Sequence, residues 1–128
     1  MTPSSASARI LLVEDDPDAA TFFRDVLSGR GGYDVTHTAD PAVALSLATV
    51  ETWGFLLTDL HLPGMTGLEL LTAVRAARPA LPVMMVSAHD PALLHLPCGS
   101  PDAFLHKPVP AGHLLNTAAV LLARRRNA

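Results

Sequence analysis

With 128 residues the chain has room for one domain and no second core, and 49% apolar against 16% charged residues is a balance that buries a core. A net charge of -3 excludes the broadly basic surface that nucleic acid or an anionic membrane would attract. Cys98 is the one cysteine, which excludes an internal disulfide and Cys-rich zinc sites and suits a reducing compartment. No stretch approaches the ~20 apolar residues that cross a bilayer, and the small, uncharged start leads into no secretion signal. These features predict a soluble cytoplasmic protein with a flexible tail over residues 1–8, one domain over 9–124 and a short C-terminal tail over 125–128.

Short β-type runs alternate with longer helical ones. Ile10 to Val13 is continuously apolar, as a strand buried on both faces should be, and it stops at Glu14. Asp16-Pro17 reads as a helix cap followed by proline at the first helical position. Ala20, Phe23, Val26 and Leu27 then recur at helical spacing until Gly29 and Gly31-Gly32. Tyr33 to Thr38 alternates as an edge strand would, and Pro41 to about Glu51 reads as a second helix. Gly54 to Thr58 forms a third strand ending at Asp59. After the turn Pro63 to Gly67, Leu68, Leu71 and Val74 share the face of a third helix. Pro82 to Val86 is a fourth strand ending at Ser87, and Phe104 to His106 a fifth ending at Lys107. Leu114, Ala118, Leu121 and Leu122 mark a last helix; the run Arg124 to Arg126 either closes it with cations at the negative end of its dipole or begins a linker to an output domain.

Strands alternating with helices predict an α/β fold with a doubly wound, five-stranded parallel sheet and helices on both faces. Chemistry in such a sheet sits beyond the carboxyl ends of the strands, where this chain has Glu14-Asp15-Asp16, Asp59, Ser87 and Lys107. Carboxylates held together stay ionised only if a cation joins them, and hard oxygens favour Mg²⁺. A hydroxyl and an ammonium beside them would position and neutralise a phosphoryl group. Each residue alone has an ordinary explanation: Asp16 as a helix cap, Asp59 as loop chemistry before a Pro-Gly turn, Ser87 as a cap, Lys107 as a surface lysine. Lys107 is, however, the only lysine beside eight arginines, and it is the joint arrangement that points to phosphoryl chemistry.

Four segments closely resemble the receiver domains of two-component response regulators: Ile10-Leu-Leu-Val-Glu-Asp-Asp-Pro17, Leu57-Thr-Asp-Leu-His-Leu-Pro-Gly-Met-Thr-Gly-Leu-Glu-Leu70, Pro82-Val-Met-Met-Val-Ser-Ala-His-Asp90 and Phe104-Leu-His-Lys-Pro108. The resemblance runs from about Arg9 to Arg124, so the domain over 9–124 would be a receiver. It implies strand order 2-1-3-4-5 and Asp59 as phosphoacceptor, phosphorylated from a sensor histidine kinase or a histidine phosphotransfer protein. It further implies Mg²⁺, with Mn²⁺ as substitute, held by Asp15 directly, Glu14 through water, Asp59 and the backbone carbonyl of His61. Ser87 and Lys107 would contact the phosphoryl group, Phe104 would be the switch aromatic, and the Lys107-Pro108 bond would be cis. The implied role is a signalling domain in a phosphorelay that controls an output partner, with no free substrate turned over and no direct contact with nucleic acid or membrane.

The segment between Ser87 and Lys107 departs from the family. Pro91, Pro97 and Pro101 leave only Ala92 to Leu96 for a fourth helix, which is expected to be short or irregular. His61 and His89, each two residues past a site residue, would flank the path of water to an acyl phosphate and tune its lifetime. Cys98 could be a buried small hydrophobe or an exposed thiol. Three other readings compete. A phosphatase of the aspartyl-phosphate type would want an aspartate where His61 stands. A nucleotide or flavin binder would want a glycine-rich loop after a strand, whereas Gly29-Arg30-Gly31-Gly32 follows a helix. A receiver-fold module that signals without phosphorylation would keep the fold and drop the switch.

Overall fold

The structure, a computed structural model, describes residues 8–88 and 101–127, with side chains described as far as 124. Its elements are β1 (Arg9–Val13), α1 (Pro17–Arg24) continued by a π-helical turn (Asp25–Arg30), β2 (Asp34–Thr38), α2 (Pro41–Val50), β3 (Phe55–Asp59), α3 (Gly67–Ala77), β4 (Val83–Ser87), β5 (Ala103–His106) and α4 (Ala111–Asn127). The expected short fourth helix over 92–96, His89 and Cys98 lie outside the described residues.

The five strands form one parallel sheet in the order β2-β1-β3-β4-β5. Burial follows position in it: every residue of β3 and β4 is buried, whereas the edge strand β2 is half-buried or exposed throughout. Continuous apolar runs therefore belong to the strands covered on both faces and the alternating run to the edge.

Alternation along each strand divides the core in two. Ile10, Leu12, Phe55, Leu57, Met84 and Val86 face Phe23, Val26 and Leu27 of the first helix and Leu114, Ala118 and Leu121 of α4. Leu11, Val13, Leu56, Val83 and Met85 face Ala44 and Ala48 of α2 and Leu70, Leu71 and Val74 of α3. Fully buried leucines such as Leu27, Leu71 and Leu114 each contribute about 2 kcal/mol of hydrophobic stabilisation.

The helix ends refine the sequence reading. Asp16 occupies the cap position of α1 in an extended conformation, but its side chain makes no capping bond there. Asp40 of α2 does cap, accepting from the Ala42 N–H at 2.9 Å, and α3 starts with a full capping box between Thr66 and Glu69. The last helix runs to Asn127, past Arg124, whose guanidinium turns to Asp102 at 3.4 Å.

Candidate functional site

The strand ends carry the candidate residues to one place. In register, Val13 pairs with Thr58 and Asp59 with Val86, so β1, β3 and β4 finish side by side. The ladder continues one step further: Leu60 N–H donates to Val86 O at 3.0 Å and Lys107 N–H to Ser87 O at 2.8 Å. β3 and β4 each extend one residue beyond the sequence reading, to include Asp59 and Ser87. The acceptor carboxylate and the hydroxyl are thus strand residues, fixed by backbone pairing.

Behind β3, the chain turns and re-enters as α3 with Gly67 N–H donating to Leu60 O at 2.7 Å. A Cβ on Gly67 would collide with the Asp59 carbonyl oxygen and lie 2.9 Å from Leu60 Cα. Only glycine lets the helix start this close to the strand end.

Glu14 is 1% exposed and Asp59 8%, and Asp15 beside them faces solvent. Ligand oxygens of Glu14, Asp15 and Asp59 lie within 4.8 Å of one another, the one such acidic or His-containing group among the described residues. Lys107 Nζ bridges two of them, 3.1 Å from Glu14 Oε1 and 3.0 Å from Asp59 Oδ2. The second oxygens take backbone donors: Asp16 N–H reaches Glu14 Oε2 at 3.2 Å, and His61 N–H reaches Asp59 Oδ1 at 3.3 Å. The acid at 16 thus serves the site through its N–H.

Burial raises the Glu14 carboxyl above its ordinary value, and the Asp59 charge adds to the rise; bonds from Asp16 N–H and Lys107 only partly counter them. Burial alone would lower the Lys107 ammonium, but its bonds to Asp59 and Glu14 outweigh that and hold it above 10.5. Three carboxylates against one ammonium leave an excess of hard anionic oxygen, a donor set that fits Mg²⁺.

Of the remaining sequence candidates, Ser87 is fully buried at the end of β4 and His61 is exposed just past Asp59. Phe104 is half-buried and packs against the apolar cluster under α2 and α3. The Lys107-Pro108 bond is cis. One neighbour escaped the sequence reading: His37 of β2, whose Nε2 lies 2.8 Å from the Glu14 carbonyl oxygen. In an alternating edge strand a histidine gives no signal of that reach.

The model of the response regulator receiver domain matches residues 10–119. The chain belongs to this family. Among solved structures, the receiver fold of a CheY-like protein from Methanospirillum hungatei aligns with a TM-score of 0.85 and 29% identity, over 94% of this chain and 98% of that one. The receiver domain of a sensor histidine kinase from Pseudomonas aeruginosa, solved with a magnesium ion coordinated in its active-site cleft, gives 0.81 and 28% over 92% of this chain and 99% of that one. The C4-dicarboxylate transport transcriptional regulatory protein DctD of P. aeruginosa is 32% identical over 97% of this chain, which spans only 27% of DctD's own length. A receiver is a signalling domain of two-component systems, and no described helix here is long and apolar enough to cross a membrane.

Proposed function

We propose that the receiver unit over residues 9–124 is a phosphorylation switch in which Asp59 accepts a phosphoryl group from a phosphohistidine on a sensor kinase or phosphotransfer protein. The observation that carries this reading is the sharing of Lys107 Nζ between Glu14 and Asp59 at 3.1 and 3.0 Å, with Asp15 open to solvent beside them. An Asp59 oxygen attacks phosphorus, the bond from phosphorus to the histidine nitrogen breaks, and the freed imidazole leaves with a proton from solvent. The product is an acyl phosphate on Asp59.

Asp15, Glu14, Asp59 and the His61 carbonyl would hold Mg²⁺, or Mn²⁺ in its place, which when bound neutralises charge on the transferring group. Lys107 would shift its hydrogen bonds from the carboxylates to the phosphoryl oxygens. Ser87, one residue past the strand partner of Asp59, would donate its hydroxyl to the same group. Loss of the resting Lys107 bonds to Glu14 and Asp59, together with movement of the half-buried Phe104, would carry the change to the surface read by an output partner. His61 and His89 would tune the lifetime of the acyl phosphate by controlling water.

An open apolar cleft beside Lys107, walled by Ala19, Phe22 and Phe23 of the first helix and by Val109 and Pro110, gives the donor protein a surface against which to present its histidine. The switch turns over no free substrate, and a cytoplasmic site of action accords with its lone cysteine. Phosphoramidate, whose phosphorus-nitrogen bond mimics phosphohistidine, provides the test. With Mg²⁺ the protein should gain about 80 Da as a labile adduct, and chelation of the metal should prevent it. No gain in a folded protein would refute the reading and favour a receiver that signals without phosphate.

A further inference from the structure

We propose that His37 is a positioning residue of this site, holding the peptide between Glu14 and Asp15 so that both carboxylates present themselves to a divalent cation. The proposal rests on the Mg²⁺ reading above and adds to it a residue on the outermost strand. Glu14 is fastened on every side: its N–H donates to Thr38 O at 3.2 Å, and its carboxylate takes Asp16 N–H and Lys107 Nζ. Its carbonyl takes His37 Nε2 at 2.8 Å. A carbonyl oxygen only accepts, so the imidazole Nε2 carries the hydrogen.

The peptide group is planar, so fixing the Glu14 carbonyl also fixes the direction of the Asp15 N–H and the start of the Asp15 backbone. Asp15 is the exposed member of the acidic group and has the most freedom to turn away. β1 has already ended at Val13, so the sheet ladder no longer restrains this peptide on its own. His37 pairs with Leu12 in the ladder, and its ring spans the two residues to the carbonyl beyond the strand. Losing a group that orients metal ligands from behind typically weakens metal binding by about 10- to 100-fold.

Leucine at 37 keeps the size and removes the donor; glutamine keeps a donor at the same number of bonds from the backbone. The test is a Mg²⁺ titration of the parent, His37→Leu and His37→Gln by calorimetry, with the Asp15 amide resonance recorded in the metal-free proteins. The expected result is about tenfold weaker Mg²⁺ binding in His37→Leu and recovery to within about twofold of the parent in His37→Gln. The Asp15 resonance should move in the first variant and return in the second. Unchanged affinity in His37→Leu, or equal loss in both variants, would overturn the proposal. A parent that binds no Mg²⁺, with the Asp15 resonance still moving and returning as described, would overturn the function proposed above and leave the positioning of the peptide by His37 standing.

Discussion

Where the strands begin, Arg9 lies 4.2 Å over the Trp53 ring and bonds Glu51 at 2.7 Å, while Arg75 and Arg124 share Asp102, whose carboxylate also accepts from Val83 N–H at 2.8 Å. Arg78 caps the end of α2 by donating to the Ala48 and Thr49 carbonyls. Where the strands finish, Glu14, Asp15 and Asp59 crowd around Lys107. At one end the guanidiniums of Arg9, Arg75, Arg78 and Arg124 are each matched to a carboxylate, a carbonyl or a ring; the other leaves carboxylates in excess of one compact, movable ammonium. The matched end ties β1, β4 and the helix ends together. The unmatched end gains by taking up a cation, and an ammonium that can leave its carboxylates is suited to follow a phosphoryl group.

Breaking the unmatched end should have the largest effects on chemistry. Asp59→Asn keeps the shape and removes the nucleophile, so the phosphoramidate-dependent mass gain should vanish while circular dichroism stays unchanged. Lys107→Met should slow phosphorylation by about a hundredfold, as loss of one charge-stabilising group does. It also strands buried Glu14 without its charged hydrogen-bond donor, at a cost of about 2 kcal/mol in urea unfolding at neutral pH, and added Mg²⁺ should stabilise this variant more than the parent. The sign with pH follows from the raised Lys107 value. Its contribution is whole below 10.5 and is lost as pH climbs through the higher folded value, so the parent should show an alkaline decline in stability that Lys107→Met lacks.

The matched end should behave in the opposite way. Asp102→Ala leaves the Val83 N–H and two guanidiniums without their acceptor and should cost about 2 kcal/mol of stability, with Mg²⁺ affinity unchanged in a calorimetric titration. Arg9→Ala removes a stacked cation and a half-exposed ion pair and should cost only about 1 kcal/mol, again with no effect on phosphorylation. A loss of Mg²⁺ binding in either variant would show that the two ends are not separate.

The sheet was legible in the sequence because its inner strands are continuous apolar runs, each ending at a charged or polar residue: Val13 before Glu14, Thr58 before Asp59, Val86 before Ser87. The strand ends shifted by one because the parallel ladder continues through Asp59 and Ser87, and backbone pairing leaves no mark on residue type. Gly29 with Gly31-Gly32 suggests the end of the first helix, and the helix passes Gly29 in a wide turn to Arg30. The stop comes at Gly31, where a Cβ would lie 2.6 Å from Leu27 O and 2.8 Å from the Tyr33 ring. Of the site, Glu14, Asp15, Asp59 and Lys107 meet as their places after the strands imply. His37 could not be found this way, because its contact depends on the register of β2 against β1 and on a carbonyl just past a strand.

Asp59 alone should receive the phosphoryl group. Borohydride reduction of the phosphoramidate-treated protein followed by peptide mass spectrometry tests it most directly, since it converts an acyl phosphate into an alcohol at the residue that carried it. The converted residue should be Asp59, with the Glu14-Asp15 peptide unaltered. Conversion at Glu14 or Asp15, or a phosphoryl group retained on a histidine with Asp59 untouched, would contradict it.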